Sequence, residues 1–353
     1  MYPKDGKKRA EIKAWDVERL HGCNFLNDNL IGFYIRFLEH HLERTDAELA
    51  KKVYFFNSYF FASLTGNTKG AKQIDYQAVE RWTLDVDIFS YDYIVVPINE
   101  DTHWYMAIIC NLPSLIRSIS EDRGTENIST EEPQGEAEKN EKAHPPQSAA
   151  VTSGEELACD ARRNFPTLET TLPVVARKKE HVSSTKKNGP RQPVIITFDS
   201  LGTQHRQTIG TLREYIREEG KSKQSLIISS KNIKGMTANG IPQQPNSFDC
   251  GLYVLAYLEK FIQNPDGFVT KLLQKKMHKY ADWPMLRSEL LRQSLQNFLL
   301  NLYDEQYGKD GADAERPLIV DTKPLNILLS QPRSSHAPKE AESLQKRESK
   351  SGF

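Results

Sequence analysis

Cysteine is scarce in this chain. Its four cysteines in 353 residues, Cys23, Cys110, Cys159 and Cys250, are too few and too scattered for a disulfide framework. No two of them stand at metal-ligand spacing, so a reducing compartment is expected. Net charge is lacking too: 47 basic and 47 acidic side chains cancel, which removes any general case for nucleic-acid binding. No apolar run is long enough to cross a bilayer. Residues 1–13 are charged where a signal peptide would be apolar. A nuclear or cytoplasmic protein without a membrane partner is the expectation.

Aromatic residues all but vanish between about 112 and 191, where Glu, Ser, Thr, Pro, Lys and Gly take over. The first half of this stretch is acidic, and the second carries the basic clusters Arg162-Arg163, Arg177-Lys178-Lys179 and Lys186-Lys187. Such a composition buries too little apolar surface to offset the entropy of ordering, which predicts a disordered insertion at about 113–191. Its flanks, 14–112 and 192–305, each look incomplete alone. One domain over 14–307 is therefore expected, interrupted by the insertion, since loop-closure entropy grows only slowly with length. The polar residues 308–353 read as a mostly disordered tail.

Within the flanks, Asn27 or Asp28 is positioned to cap a helix with Leu30, Tyr34, Phe37, Leu38 and Leu42 on one face. The aromatic-rich stretch 53–64 reads as core, and 75–82 as a short helix. Residues 93–98 and 104–110 are apolar and β-branched around a polar turn, the pattern of a hairpin. Residues 193–198 form a further strand ending at Asp199-Ser200, and 286–302 shows helical spacing. The fold class that follows is α+β.

The chemistry concentrates at Gln243-Gln244-Pro245-Asn246-Ser247-Phe248-Asp249-Cys250-Gly251, which runs into the apolar stretch 252–262. It reads as a polar loop delivering Cys250 to the first turn of a buried helix, where partial positive charge favours a thiolate. A cysteine nucleophile also needs a base, an orienter for it and an oxyanion donor. Among nine histidines, His103 alone begins a buried strand at the end of a hairpin turn. Asp199, closing the next strand, is placed to accept a hydrogen bond from His103 Nδ1–H. Gln244 offers a neutral donor beside the Cys250 backbone N–H. Singly, each residue has an ordinary structural explanation: an edge histidine, a turn aspartate, a small core cysteine. Together they describe a cysteine hydrolase.

At these residues the chain resembles the Ulp/SENP family of SUMO-specific cysteine proteases, whose fold is shared with the adenovirus endopeptidase. The order His, Asp, Gln, Cys matches, and four blocks carry the likeness: Phe25-Leu26-Asn27-Asp28-Asn29-Leu30-Ile31, Thr102-His103-Trp104-Tyr105, Phe198-Asp199-Ser200-Leu201, and residues 242–251 with a glutamine six positions before the cysteine. The resemblance implies a central mixed sheet flanked by helices, with the nucleophile at the N-terminus of a buried helix. It implies a triad of His103, Asp199 and Cys250, with Gln244 as oxyanion donor. Substrate-binding roles are implied for Phe25 and Trp104, walling a tunnel for a Gly-Gly tail, and for Asp28, contacting a basic residue of the modifier. The family's first block often carries Trp where this chain has Phe25. Residues 84–100 resemble the insertion-bearing branch that acts on SUMO chains. The implied activity is cleavage after the C-terminal Gly-Gly of SUMO on lysine conjugates or poly-SUMO chains, by a monomer needing no metal or cofactor. Alternatives are a protease for another ubiquitin-like modifier, such as that attached to cullins, an inactive SUMO-binding module, and an acyltransferase on a related fold.

Two weaker signals remain. Leu318-Ile319-Val320-Asp321 reads either as a SUMO-interacting motif that adds a strand to a sheet edge or as a packing segment, and packing is the commoner outcome for so short a pattern. The basic clusters near 177–187 read as a nuclear-import signal or as a solvated charge run.

Overall fold

The computed structural model describes residues 1–5, 8–66, 74–126, 192–307 and 318–330, with only the backbone of 120–126. The expected insertion from 127 to 191, with its basic clusters, lies outside the described residues, as do 308–317 and 331–353.

The chain begins with a short helix α1 (Ala14–Glu18), then α2 (Asp28–Thr45) and α3 (Ala47–Ala50). Strand β1 (Val53–Phe55) precedes α4 (Tyr59–Thr65) and α5 (Tyr76–Val79). The hairpin β2 (Tyr93–Glu100) and β3 (His103–Cys110) leads into α6 (Leu112–Glu126). After the insertion come β4 (Val194–Phe198), α7 (Arg206–Gln224) and β5 (Lys234–Thr237), followed by α8 (Cys250–Gln263), α9 (Pro265–Leu273) and α10 (Ser288–Tyr307). The strands form one mixed sheet in the order β1-β2-β3-β4-β5, with the inner two pairs antiparallel and the outer two parallel. This is the α+β arrangement expected.

Side chains of the central hairpin alternate with the strand period of two. Tyr93 and Val95 of β2 and Trp104, Met106, Ile108 and Cys110 of β3 face a core built from α2, α8 and α10. Ile94, Val96, Ile98, Tyr105, Ala107 and Ile109 face a second core with α4 and α7, including Phe56, Phe60, Leu212 and Tyr215. Continuous apolar runs are what a strand buried on both faces requires. The polar turn of the hairpin is a loop of only two residues. Glu100 pairs directly with His103, leaving Asp101 and Thr102 at φ 50° and 65°. A two-residue hairpin loop needs positive φ at both positions to match strand twist. Its consequence is that His103 lies in the ladder, held by the sheet.

The helix expected after residue 27 is α2, with Leu30, Tyr34, Phe37, Leu38 and Leu42 all buried. Its cap is Asn27, whose side chain accepts from the Leu30 N–H at 3.1 Å. Asp28 is the first helical residue instead. Within the described residues, no helix is long and apolar enough to cross a membrane.

Two segments expected to be disordered are built into the fold. The insertion was expected from about 113, yet α6 continues the chain to Glu126, with Leu112, Leu115 and Ile119 in the second core. Their spacing of three and four suits one helix face, a signal masked by the polar residues around it. In the predicted tail, residues 318–330 pack on the domain, with Val320, Leu325, Leu328 and Leu329 buried. The Leu328 and Leu329 N–H groups donate to Glu259 of α8, a buried carboxylate that also accepts from the Tyr34 hydroxyl. Val320 offers its carbonyl to His41 Nδ1 at 2.5 Å, and Arg44 pairs with Asp321. Packing, rather than an exposed binding motif, therefore accounts for Val320. Sparse apolar residues in a polar stretch give no periodic signal; their slots exist only once α2 and α8 have met.

Candidate active site

The first residue of α8 is Cys250, only 1% exposed. Two features face its sulfur with partial positive charge: the start of a 14-residue helix and the Trp104 backbone N–H, which donates to Sγ at 3.3 Å. Glycine follows the cysteine because the helix start is pressed against the N-terminal block. A Cβ on Gly251 would sit 2.9 Å from Leu26 Cβ. The same block is tied to β3, since the Trp104 indole Nε1–H donates to the Leu26 carbonyl at 2.8 Å.

His103 and Asp199 come from adjacent antiparallel strands, and their side chains meet. His103 Nε2 lies 3.1 Å from Asp199 Oδ2. This corrects the expected use of Nδ1: the ring reaches the carboxylate with its distal nitrogen, which leaves Nδ1 as the nitrogen for Cys250. Burial works against a charged His103, but contact with Asp199 and then with Cys250 outweighs it and raises the pKa to about 9. Asp199 is 2% exposed. Burial alone would raise its pKa, yet His103, His205 and the Leu201 N–H hold it well below the usual carboxylate range. The Leu201 N–H donates to Oδ1 at 2.6 Å, fixing the carboxylate in its turn. In that turn Gly202 has φ +77° and packs so closely on Gln243 that a Cβ would fall 2.7 Å from Gln243 Nε2.

Gln244 is buried beside the aspartate turn, with both ends of its amide engaged. The Ser200 hydroxyl donates to Oε1 at 2.5 Å, and Nε2 donates to the Asn246 carbonyl at 2.6 Å. Ser200 thereby fixes which way the amide points. The second Nε2 hydrogen makes no bond among the described residues.

Behind the loop, Asp249 is fully buried and bonded to Arg292 of α10 through Nε at 3.0 Å and Nη2 at 2.5 Å. Arg292 also donates to the carbonyls of Arg19 and Asn24, and Asn246 Nδ2 donates to Asp249 at 2.6 Å. One guanidinium thus joins α10, the N-terminal block and the residue before the cysteine, using the fork geometry that lysine lacks.

His103, Asp199, Cys250 and Trp104 are linked by these contacts, and Gln244 joins them through Ser200, the residue after Asp199. Trp104 is 1% exposed and Phe25 is 38% exposed. Asp28 lies elsewhere, lining a cleft with Lys8, Arg9 and Phe55 that none of His103, Asp199 and Cys250 lines. Sequence reasoning missed Arg292, Ser200, His205 and the Trp104 N–H. His205 Nε2 is 2.5 Å from Asp199 Oδ2, and its position six residues after the aspartate was the available signal. Among the described residues, no cluster of three or more His, Cys, Asp or Glu side chains is arranged to hold a metal ion.

The family model for the Ulp1 protease family, C-terminal catalytic domain, matches residues 24–295. Ubiquitin-like-specific protease 2 of Schizosaccharomyces pombe is 30% identical over 314 residues, covering 86% of this chain and 42% of the relative. Sentrin-specific protease 7 of Rattus norvegicus is 30% identical over 307 residues, covering 82% of this chain and 27% of the relative. The chain therefore spans less than half the length of either. A solved de-sumoylating protease shares the fold with TM-score 0.52 and 22% identity, covering 84% of this chain and 89% of that structure.

Proposed function

The chain belongs to the Ulp1 protease family, a family of cysteine peptidases, and on that premise we propose that it is a SUMO isopeptidase. Its substrates in this reading are lysine conjugates and poly-SUMO chains, cleaved after the modifier's C-terminal Gly-Gly. The observation that carries the reading is the contact set at Cys250: a backbone donor on its sulfur, a histidine whose proton is held to about pH 9, and a buried aspartate behind that histidine. The two relatives named above, one a ubiquitin-like-specific and one a sentrin-specific protease, support the substrate class.

In the reaction, Cys250 as thiolate attacks the carbonyl carbon of the terminal glycine, paired with the His103 imidazolium. The developing oxyanion takes hydrogen bonds from the second Nε2 hydrogen of Gln244 and from the Cys250 N–H, one of the helix-start donors that lack an intrahelical acceptor. The C–N bond breaks as His103 passes its proton from Nδ1 to the departing lysine amine. His103, now neutral, takes a proton from water as the water oxygen attacks the thioester. The C–S bond breaks, restoring the ion pair and releasing the modifier's carboxyl group, whose remaining proton passes to solvent. Asp199 keeps the imidazole oriented throughout. Phe25 and Trp104 form the entrance for the diglycine, where a Cβ would meet the flanking aromatic side chains, and Asp28 contacts the body of the modifier. The enzyme acts as a monomer, in the nucleus, and one catalytic domain contains the insertion.

Probes made from SUMO and from the cullin modifier, each ending in a C-terminal electrophile, test this. Wild type is expected to label with the SUMO probe and Cys250→Ala with neither. Failure of folded wild type to label with either probe would overturn the peptidase, and labelling by the cullin-modifier probe alone would overturn the substrate.

A further inference from the structure

Asp199 serves two histidines through one oxygen. Its Oδ1 is taken by the Leu201 N–H, so both imidazoles converge on Oδ2, with His205 Nε2 at 2.5 Å and His103 Nε2 at 3.1 Å. The His205 contact has hydrogen-bond geometry, whereas the His103 N–H is not aimed as a hydrogen bond. His205 is itself held in place. It is the N-cap residue of α7 and stacks on Tyr105 at 3.7 Å between ring centroids, with 9° between the planes. Tyr105 is fixed in turn by hydrogen bonds to Glu100 of β2 and to Thr208 of α7, the latter at 2.7 Å. The His103 ring centroid lies 6.1 Å from that of Tyr105, with 20° between the planes. A second imidazole, clamped by a buried tyrosine and competing for the orienting oxygen, exceeds what a three-residue relay requires.

We propose that His205 is a positioning residue that fixes the Asp199 carboxylate and divides its charge, so that His103 can release and recover a proton during turnover. A carboxylate oxygen already taken by the His205 N–H stabilises a second imidazolium beside it less than it would alone. His205 thereby weakens the hold of Asp199 on the His103 proton. The groups that face this pair are Cys250 from α8, Tyr105 from β3, Glu100 from β2 through the Tyr105 hydroxyl, and Asp199 itself. The amine that leaves is more basic than the imidazole, and the water that enters needs a neutral imidazole. An over-stabilised imidazolium therefore serves neither half of the cycle. This role rests on the thiolate–imidazolium reading of Cys250 and His103, though not on which modifier is the substrate.

The test follows alkylation of Cys250 by iodoacetamide against pH, in the full chain carrying Cys23→Ser and Cys159→Ser, so no modifier is needed. The step in rate at high pH reports deprotonation of His103. His205→Phe keeps a ring against Tyr105 and removes the donor, and is expected to move that step up by on the order of 0.5 pH unit. His205→Gln, which retains an N–H donor, is expected to leave it near the wild-type position. In hydrolysis of a conjugate, His205→Phe should lower kcat about threefold with KM unchanged, the factor matching that shift. An unmoved or lowered step in folded His205→Phe, or an equal shift in His205→Gln, would overturn the proposal. His205→Leu makes the same comparison if the phenylalanine variant does not fold. Failure of SUMO-probe labelling with the shift intact would strike the substrate assignment alone.

Discussion

Replacing Arg292 by methionine tests how the nucleophile loop is held. In the folded protein the Arg292 side chain is 10% exposed and that of Asp249 1%, so the pair is screened little by solvent. The substitution keeps most of the apolar stem and removes four hydrogen bonds: two to Asp249 and one each to the carbonyls of Arg19 and Asn24. The dominant cost is the carboxylate left buried without its cation. Breaking one side of such a pair costs about 3–5 kcal/mol, whereas neutralising both sides is often nearly neutral. For a domain of this size each kcal/mol is worth roughly 2–4 °C in Tm. The expectation for Arg292→Met is therefore a Tm lower by about 6–20 °C in a thermal melt. The double variant Arg292→Met with Asp249→Asn should recover at least half of that loss. Cys250 alkylation should slow in the single variant, because Asp249 directly precedes the nucleophile and holds Asn246. The reasoning is refuted if Arg292→Met melts within about 3 °C of wild type, or if the double variant is no more stable than the single one.

Three further outcomes are expected. Gln244→Ala should lower kcat about 10²–10³-fold in conjugate hydrolysis; a loss below tenfold in folded protein would remove Gln244 from the oxyanion site. The His103 pKa lies at about 9, above its ordinary 6.5, so the stability it confers is fully present below about pH 6.5 and is lost as pH rises through about 9. That loss is on the order of 3 kcal/mol by urea unfolding at the two extremes, and should shrink in His103→Ala; an unchanged pH dependence in that variant would show that another group is responsible. Leu328 is fully buried, so Leu328→Ala should cost about 2–5 kcal/mol, and a melting temperature equal to wild type would show that residues 318–330 do not belong to the folded domain.

Where the sequence was sufficient, the signal was local and repeated. The continuous apolar runs of β2 and β3, the helical spacing from Leu30 to Leu42, and the polar loop opening onto an apolar helix at Cys250 are each written within one element. Chain order and residue type pointed to His103, Asp199 and Cys250 because each stands at the end or start of such an element, and to Gln244 through its place in the loop before Cys250. What stayed hidden depends on partners far apart in sequence. Arg292 reads as one more polar residue of an amphipathic helix until α10 lies against a loop 43 positions earlier. Residues 318–330 look like a tail until Glu259 offers a buried carboxylate to their N–H groups. The choice of Nε2 over Nδ1 on His103, and the arrival of His205 on the same oxygen, depend on angles between β3, β4 and the start of α7 that no spacing records. Sequence determined which groups are available for the chemistry, since reactivity belongs to residue types and local periodicity decides where they can stand. Tertiary structure alone decided how tightly each is held, since burial and shared hydrogen bonds are properties of surfaces that meet only in the folded chain.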